Sequence, residues 1–413
     1  MRKLYLAITL LACLGTLFFF KYFGFLFESV KSIVELFDGE APQLVVKLIL
    51  PVGISFYTFQ TLSYVCDVYR GRIKTERNFF FYALFVSFFP QLVAGPIERP
   101  ENLIPQLKEE HKFNTADFTR GIKYMALGFF KKIVVADTVS VYVDAVYNNP
   151  SAADTLGVII ATGLFAVQIY CDFSGYTDIA TGAARVMGIR LMKNFDHPYT
   201  ATSIKEFWAR WHISLSSWFR DYLYIPLGGN RRGRARTLLN VFLVFLVSGL
   251  WHGANWTYVI WGALHGVYQI IGNLTVGIRN KFLTRVGLNP SGRAVLWVRR
   301  CITLLLVSVA WLPFRAGSIS DVFVLLRAFL TNPQAPMQTF SALGITAVGA
   351  VTVLAAVLLL NLLDRLVVYG EGRDGSSALI KDGAVVYLAT VILLAALLLL
   401  SRGIDSSFIY FQF

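Results

Sequence analysis

Long apolar stretches alternate with short polar segments along almost the whole chain. A membrane-spanning helix needs roughly 20 mostly apolar residues, and many windows of this chain meet that requirement. We therefore predict an all-α polytopic membrane protein with about eight to ten spanning helices. The candidate spans lie near residues 4–27, 43–62, 79–95, 121–146, 155–171, 237–251, 254–273, 295–314, 342–363 and 383–401.

The composition agrees with this prediction. Of the 413 residues, 56% are hydrophobic and only 15% are charged, whereas soluble domains carry about a quarter charged residues. The polar segments are too short to fold as extramembrane domains, so we predict one membrane domain over residues 1–413. The N-terminal "MRKLYLAITLLACLG" looks like a signal peptide, but its apolar run continues through "TLFFFKYFGFLF". This length favours an uncleaved first span.

The net charge of +13 comes largely from arginines and lysines in short loops between apolar stretches. Such clusters are typical of cytoplasmic loops, and this explanation argues against a nucleic-acid partner. The loop before the stretch 237–251 has four arginines: Arg231, Arg232, Arg234 and Arg236. It also has the charge to attract anionic lipid or an anionic donor substrate. The four cysteines are scattered, and no spacing typical of metal ligands occurs, so we expect no metal site.

Residues 172–230 differ from the rest, because charged and aromatic residues interrupt the apolar pattern there. Polar groups are tolerated at membrane depth where protein or a wet cavity surrounds them. We therefore expect short interfacial or re-entrant helices inside a ring of longer spans, around a polar centre. One helix is predicted from the capping box of Ser203 and Glu206 through Phe219, with His212 on its packed face.

His252 is the strongest candidate for chemistry, in the stretch "SGLWHGANW" that ends an apolar run. A lone histidine in such a place is most often a core residue bonded to a backbone carbonyl, since unpaired polar groups are costly there. His252 differs because of its neighbours. If one helix continues through it, Ser248, Asn255 and Trp256 lie on its side. The adjoining Gly253 would let another chain or a substrate approach closely.

Other polar residues give weaker signals. His265 would point about 140° away from His252 on a continuous helix, so we expect it to be structural unless the chain breaks between the two. Asp172 and Asp178 are candidates for a polar interior, as cation ligands, proton relays or partners of arginines. Asp196 could belong to the same interior.

Several stretches resemble the membrane-bound O-acyltransferase family. They are "FVSFFPQLVAGPIERP" (85–100), "DFSGYTDIATGAARVMGI" (172–189), "NFDHPYTATSIKEFWARWHISLSSWFRDYLYIPLGGNRRG" (194–233) and "SGLWHGANWTYVIWGALHG" (248–266). Within the family, the chain is most similar to bacterial members that acetylate alginate and other exopolysaccharides. The similarity extends from about residue 20 onward and includes "AWLPFRA" (310–316) and the terminal "FIYFQF" (408–413).

The resemblance implies a ring of tilted helices around a funnel-shaped centre, with two histidines near a tunnel that joins both faces of the membrane. The family's histidine in a Trp-His-Gly context corresponds to His252, and a second one corresponds to His212. Relatives usually open with further hydrophobic helices before the region of "FKYFGF", so we expect either that the start of this sequence is placed too late or that the chain is a shortened member of the family.

The activity implied by the resemblance is O-acyl transfer. We expect an acetyl group to move from a cytoplasmic thioester, acetyl-CoA first among them, toward hydroxyls of an exopolysaccharide such as alginate, without a bound cofactor. Histidine has an ordinary pKa of about 6.5 and suits a general base, which is the role we expect for His252. His212 and Asn255 would orient reactants or stabilise the oxyanion, with Trp256 and Ser248 in supporting roles.

The resemblance to polysaccharide-acetylating systems also implies a relay. In it, the chain sits in the bacterial cytoplasmic membrane and passes acetyl to an acetyltransferase partner outside. D-alanyl transfer to teichoic acid is the alternative within the family. A proton-coupled transporter of an anionic metabolite is an alternative from another class, in which Asp172 and Asp178 would carry protons. A structural scaffold would leave His252 dispensable.

Overall fold

The computed structural model describes residues 1–37, 51–93 and 95–367. Within these ranges the regular structure is helical, with no strand. The α-helices are α1 (Arg2–Leu17), α2 (Phe23–Leu36), α3 (Ile54–Tyr69), α4 (Phe79–Ser87), α5 (Phe89–Leu92), α6 (Pro100–Lys108), α7 (Thr115–Phe129), α8 (Asp137–Tyr147), α9 (Thr155–Val186), α10 (Ile204–Arg210), α11 (Ile213–Phe219), α12 (Arg234–His252), α13 (Trp256–Arg285), α14 (Arg293–Arg315), α15 (Ile319–Thr331), α16 (Pro336–Ala342) and α17 (Ala347–Val367). The π-helical segments Phe18–Tyr22, Phe130–Ala136 and Arg220–Tyr224 continue α1, α7 and α11.

Four helical runs of the described ranges are long and apolar enough to cross a membrane: Arg2–Leu36, Thr155–Val186, Arg234–His252 and Arg293–Arg315. A fifth is formed if Pro336–Ala342 and Ala347–Leu360, which are bent by 83°, count as one broken span. The prediction of an all-α polytopic membrane protein is thereby confirmed. The predicted span at 79–95 is wrong, because α4 has only 9 residues, too few to cross a bilayer. Residues 43–50 of the candidate span 43–62, all of 383–401 and the motif at 408–413 lie outside the described residues.

Helix α9 is the centre of the fold. In the apolar 18-residue stretch of α9, 67% of the residues are buried, against 6% to 28% in the corresponding stretches of the other three candidate spans. It packs against α7, α8, α14 and α15. Helix α7 crosses it closely at two pairs of glycines, and a Cβ on Gly128 would lie 2.4 Å from the carbonyl oxygen of Gly175. Small residues at a crossing are the usual means by which membrane helices approach each other.

The expectation of short helices throughout 172–230 is wrong for its first part, because α9 continues unbroken to Val186. The polar residues of this part find partners without a break in the helix. Asp172 lies 3.0 Å from the ammonium of Lys132, and Asp178 lies 2.7 Å from that of Lys131. Ion pairing lowers the cost of charged groups in a membrane interior. Beyond residue 197 the helices are short, as expected.

Candidate active site

His252 is the last residue of α12, and the helix ends there because Gly253 adopts an extended conformation (φ −162°, ψ 152°). A side chain is excluded at Gly253, since a Cβ would lie 2.1 Å from the ring of Tyr258. The prediction that one helix continues through His252 to Trp256 is therefore wrong. The imidazole of His252 is buried, with 5% of the residue exposed.

Asn255 and Trp256 belong to the start of the next helix. The side-chain oxygen of Asn255 accepts a hydrogen bond from the backbone N–H of Thr257 (3.1 Å), and its amide nitrogen donates to the carbonyl of Gly317 (2.9 Å). The indole N–H of Trp256 donates to Ser29 (3.2 Å), and half of Trp256 is exposed. Both side chains thus join helices, and they do not share a helical face with His252.

His212 stands at a second chain break. The capping box is present, since Ser203 accepts from the backbone N–H of Glu206 at 3.1 Å. The predicted helix through Phe219 is nevertheless wrong, because α10 and α11 are separated at His212, whose φ is +44°. This left-handed conformation is rare outside glycine and costs about 1–3 kcal/mol, a strain that clusters at functional sites. It leaves His212 with no exposed surface.

The two breaks bring both histidines into one aromatic enclosure. The ring centroids of His212 and His252 lie 6.4 Å apart. Phe173 of α9 meets His212 edge-on at 4.6 Å, while Trp261 and Phe314 meet His252 at 5.0 and 5.5 Å. These side chains exclude bulk water from the space between the imidazoles.

His212 is buried and electrically neutral. Burial lowers its pKa to about 3, because a low-dielectric surrounding disfavours the charged imidazolium. Neither ring nitrogen has a hydrogen-bond partner among the residues that the structure describes. Buried polar atoms are almost always satisfied, and an exception in a native protein requires an explanation. A bound substrate group is the kind of partner that this position would accept.

His265 packs apart from His252 even though the chain breaks between them, at Gly253. Its Nδ1 accepts a hydrogen bond from the indole N–H of Trp208 at 3.1 Å. The ring of Trp261 lies 5.0 Å from His265 and 5.0 Å from His252, and so separates the two imidazoles.

A cavity of about 590 Å³ follows one face of α12. Its lining includes Thr237, Val241 and Ser248 on that helix and Leu215 opposite. Between Thr237 and Ser248 the helix rises by about 17 Å, at 1.5 Å per residue. Ser248 is buried and lies one helical turn before His252. The cavity therefore leads from the beginning of α12 toward the two histidines.

This arrangement can be set beside known proteins. A sequence profile of the membrane-bound O-acyltransferase family matches residues 5–309. The chain belongs to the membrane-bound O-acyltransferase family. The expected family is thereby confirmed, and so is the expected class of enzyme, an O-acyltransferase.

Individual members of the family are also similar to the chain. It is 39% identical to a probable alginate O-acetylase AlgI of Pseudomonas putida, over 98% of this chain and 82% of that protein. It is 34% identical to a peptidoglycan O-acetyltransferase of Helicobacter pylori, over 80% of this chain and 65% of that protein. It is 31% identical to a teichoic acid D-alanyltransferase of Bacillus subtilis, over 53% of this chain and 58% of that protein. The chain thus spans less than two thirds of the last two.

The remaining predicted residues of this acyltransferase are either buried in ion pairs or lie largely at the surface. Asp172 and Asp178 are buried, but their partners are lysines rather than the arginines we considered, and Arg185 pairs with Asp117 instead. Asp196 is not interior: its side chain is 45% exposed and pairs with Lys193. The four arginines of the loop at 231–236 lie at the start of α12, where three of them are exposed.

Sequence reasoning missed most of the enclosure. Phe173, Trp261 and Phe314 come from α9, α13 and α14, and an aromatic residue in an apolar helix gives no sign of which helix it will face. It also missed Lys21, a lysine within the first apolar run. An ionisable residue inside a candidate span is a signal that could have identified it.

Proposed function

We propose that this acyltransferase takes an acetyl group from an anionic thioester, with acetyl-CoA as first choice, and transfers it to a hydroxyl group on the opposite side of the membrane. The final acceptor would be a polysaccharide. The observation that carries the proposal is the pair of buried histidines, 6.4 Å apart, beside a cavity along α12. The relatives named as O-acetylases or O-acetyltransferases match 98% and 80% of the chain, whereas the D-alanyltransferase matches 53%. This difference favours acetyl over D-alanyl.

His252 acts as the general base in this proposal. Its imidazole takes the proton of the acceptor hydroxyl while the oxygen attacks the thioester carbonyl. A carbon–oxygen bond forms, the carbon–sulfur bond breaks, and the proton on the imidazole passes to the departing thiolate. The products are an ester and a free thiol, and His252 is again neutral. A well-placed base of this kind contributes about 10²–10⁴-fold to the rate.

His212 stabilises the negative charge that develops on the carbonyl oxygen. A neutral imidazole has one N–H donor and one acceptor nitrogen, and burial keeps His212 neutral. An N–H fixed in a dry site costs no reorganisation during the reaction, and the loss of one such donor typically costs about 10²–10³-fold. Because the amide of Asn255 is engaged at Thr257 and Gly317, we assign this role to His212 rather than to Asn255.

The donor would enter along α12. The cavity passes Asn230 and Thr237 at the beginning of the helix, next to the arginine-rich loop. Arginines at a helix N-terminus oppose the helix dipole, so an anionic group bound there would relieve an unfavourable arrangement. The cavity then gives an extended thioester arm a path as far as Ser248, one helical turn before His252. By the positive-inside rule this loop faces the cytoplasm.

The acceptor would approach from the other side. From Arg234 to His252, α12 rises by about 27 Å, so the site lies far from the basic loop. We infer that an acetyltransferase partner outside the bacterial cytoplasmic membrane receives the acetyl group and passes it to the polymer. Alginate is the first polymer to test, because the Pseudomonas putida relative is named for it.

The test is ester-linked acetate on the secreted polysaccharide of a host whose own acetylating membrane protein has been deleted. Wild type, His252→Gln and the surface control His111→Gln are compared at equal membrane levels. We expect wild type and the control to restore acetate and His252→Gln to restore almost none. Normal acetate with His252→Gln would refute the base assignment, and ester-linked D-alanine in place of acetate would refute the proposed acyl group.

A further inference from the structure

The first span reaches the end of the histidine-bearing helix α12. Lys21 lies in the π-helical segment Phe18–Tyr22. Its ammonium donates to the carbonyl oxygen of Trp251 (2.6 Å), to that of His252 (3.3 Å) and to the hydroxyl of Ser55 (3.3 Å). The hydroxyl of its neighbour Tyr22 donates to the carbonyl of Leu250 (3.0 Å). Two adjacent side chains thus bind the last three carbonyls of α12.

These contacts provide hydrogen-bond donors for carbonyl groups that α12 leaves without a partner at its end. The last four carbonyls of an α-helix have no partner within the helix, and inside a membrane no bulk water replaces one. Helices often close this gap with a following left-handed residue whose N–H bonds back. Gly253 is extended instead, and no such cap bond is present at the end of α12. The side chains of Lys21 and Tyr22 take its place.

The charge of Lys21 also suits this position. The C-terminal end of a helix carries a partial negative charge, which attracts cations. Charged residues within spans are rare because they are costly, and they usually mark function. Lys21 has no carboxylate partner among the described residues, and its acceptors are the helix carbonyls and Ser55. It also lies 5.8 Å from the centre of the Trp251 ring, within cation–π range.

We propose that Lys21 is a positioning residue that fixes the last turn of α12 and thereby the imidazole of His252. The proposal rests on the proposed function, in which His252 is the base. A displacement of about 1 Å in a reacting group can cost 10²-fold in rate, and the last turn of a helix frays unless its carbonyls are bound. The first span therefore supplies part of the active site, although it contributes no group that touches the reactants.

The experiment measures initial rates of acetyl transfer by the purified full chain at varied donor concentration. Lys21→Met removes the charge and the donor at similar length, Lys21→Gln removes the charge and keeps an N–H donor on a slightly shorter side chain, and Lys21→Arg keeps both charge and donor. Lys31→Met is the matched control, since Lys31 lies on the same span and, within the part of the chain that the structure describes, pairs only with the surface carboxylates of Glu28 and Glu35. His252→Gln is measured in parallel.

We expect kcat to fall about 10²-fold in Lys21→Met and about 10-fold in Lys21→Gln, with an unchanged donor KM. Lys21→Arg should recover most of the loss, and Lys31→Met should match wild type. Wild-type kcat in either Lys21→Met or Lys21→Gln, with His252→Gln inactive, would overturn the Lys21 proposal alone. If Lys21→Met cannot be purified, Lys21→Gln decides. An active His252→Gln would instead overturn the proposed function.

Discussion

The imidazole ring of His212 lies 6.4 Å from that of His252, centroid to centroid, although His212 precedes α11 and His252 ends α12. Each stands where a helix breaks, His212 between α10 and α11 and His252 between α12 and α13. The breaks aim both rings at one enclosed space. The two imidazole rings are too far apart to stack, but they are near enough for one substrate group to contact both. The chemistry proposed for this acyltransferase depends on that pairing.

Removal of the second histidine should slow the reaction without abolishing it. We expect His212→Ala to lower kcat by about 10²–10³-fold, because one donor to the oxyanion is lost. His212→Gln should lose less, since an amide retains a neutral N–H donor. Steady-state rates of both variants, each purified in folded form, check this. Equal rates for alanine and wild type would show that His212 takes no part in catalysis.

His212 should also make the protein less stable in acid. The unfolded chain takes up a proton on this residue as the pH falls through about 6.5, whereas in the folded state its pKa is about 3. The unfolded state therefore binds more protons between these values, and the free energy of unfolding decreases as the pH falls. At pH 5 the loss from His212 is about 2 kcal/mol.

Thermal unfolding in detergent from pH 7.5 to 4.5 tests this dependence. The Tm of wild type should fall more steeply than that of His212→Gln, which cannot take up the proton. Parallel curves for the two proteins would mean that His212 is not held neutral by burial.

The close contact between α12 and α13 should not tolerate a side chain at Gly249. A Cβ there would lie 2.2 Å from the carbonyl oxygen of Tyr258 and 3.2 Å from the Cα of Gly262. We expect Gly249→Ala to destabilise the protein by about 1–3 kcal/mol, the usual cost of overpacking. Gly277→Ala, on α13, meets no atom within 4 Å and should keep the Tm of wild type or raise it. Equal Tm values for both variants would contradict the packing described.

The cavity along α12 should be the route of the donor. Val241 lines this cavity. The larger indole of Val241→Trp should obstruct the cavity and reduce kcat/KM for the thioester by about 10-fold or more. Val247 lies on the outer side of the same helix, 42% exposed, and Val247→Trp is the control. Similar kcat/KM values for the two variants would place the donor elsewhere.

Much of the helical architecture can be predicted from sequence, because apolar length and capping residues are local properties. Asn114, Asp154 and Ser203 each begin a helix by accepting a backbone hydrogen bond, as their side chains favour. The break at His212 could not be predicted in this way. The surrounding residues have helical spacing, and the left-handed turn there is imposed by tertiary contacts such as the bond from the backbone N–H of Ile213 to Asn194 (2.9 Å).

The active site likewise has residues that can be predicted from the sequence and residues that cannot. His252 and His212 can be selected because a histidine in an apolar or aromatic context is unusual. Asn255 and Trp256 would lie beside His252 only on a continuous helix, which the packing of Tyr258 against Gly253 prevents. The part played by Lys21 depends on which helix end the first span meets, and no pattern in one sequence contains that information.

The assignment of His252 as the catalytic base is tested most directly by the release of free thiol from acetyl-CoA by the purified chain, in the presence of a hydroxyl acceptor such as alginate. Wild type, His252→Gln and the surface control His111→Gln are compared at equal amounts of folded protein. We expect thiol release by wild type and the control, and a rate about 10²–10⁴-fold lower for His252→Gln. A wild-type rate for His252→Gln would mean that this histidine is a packing residue and that the base lies elsewhere.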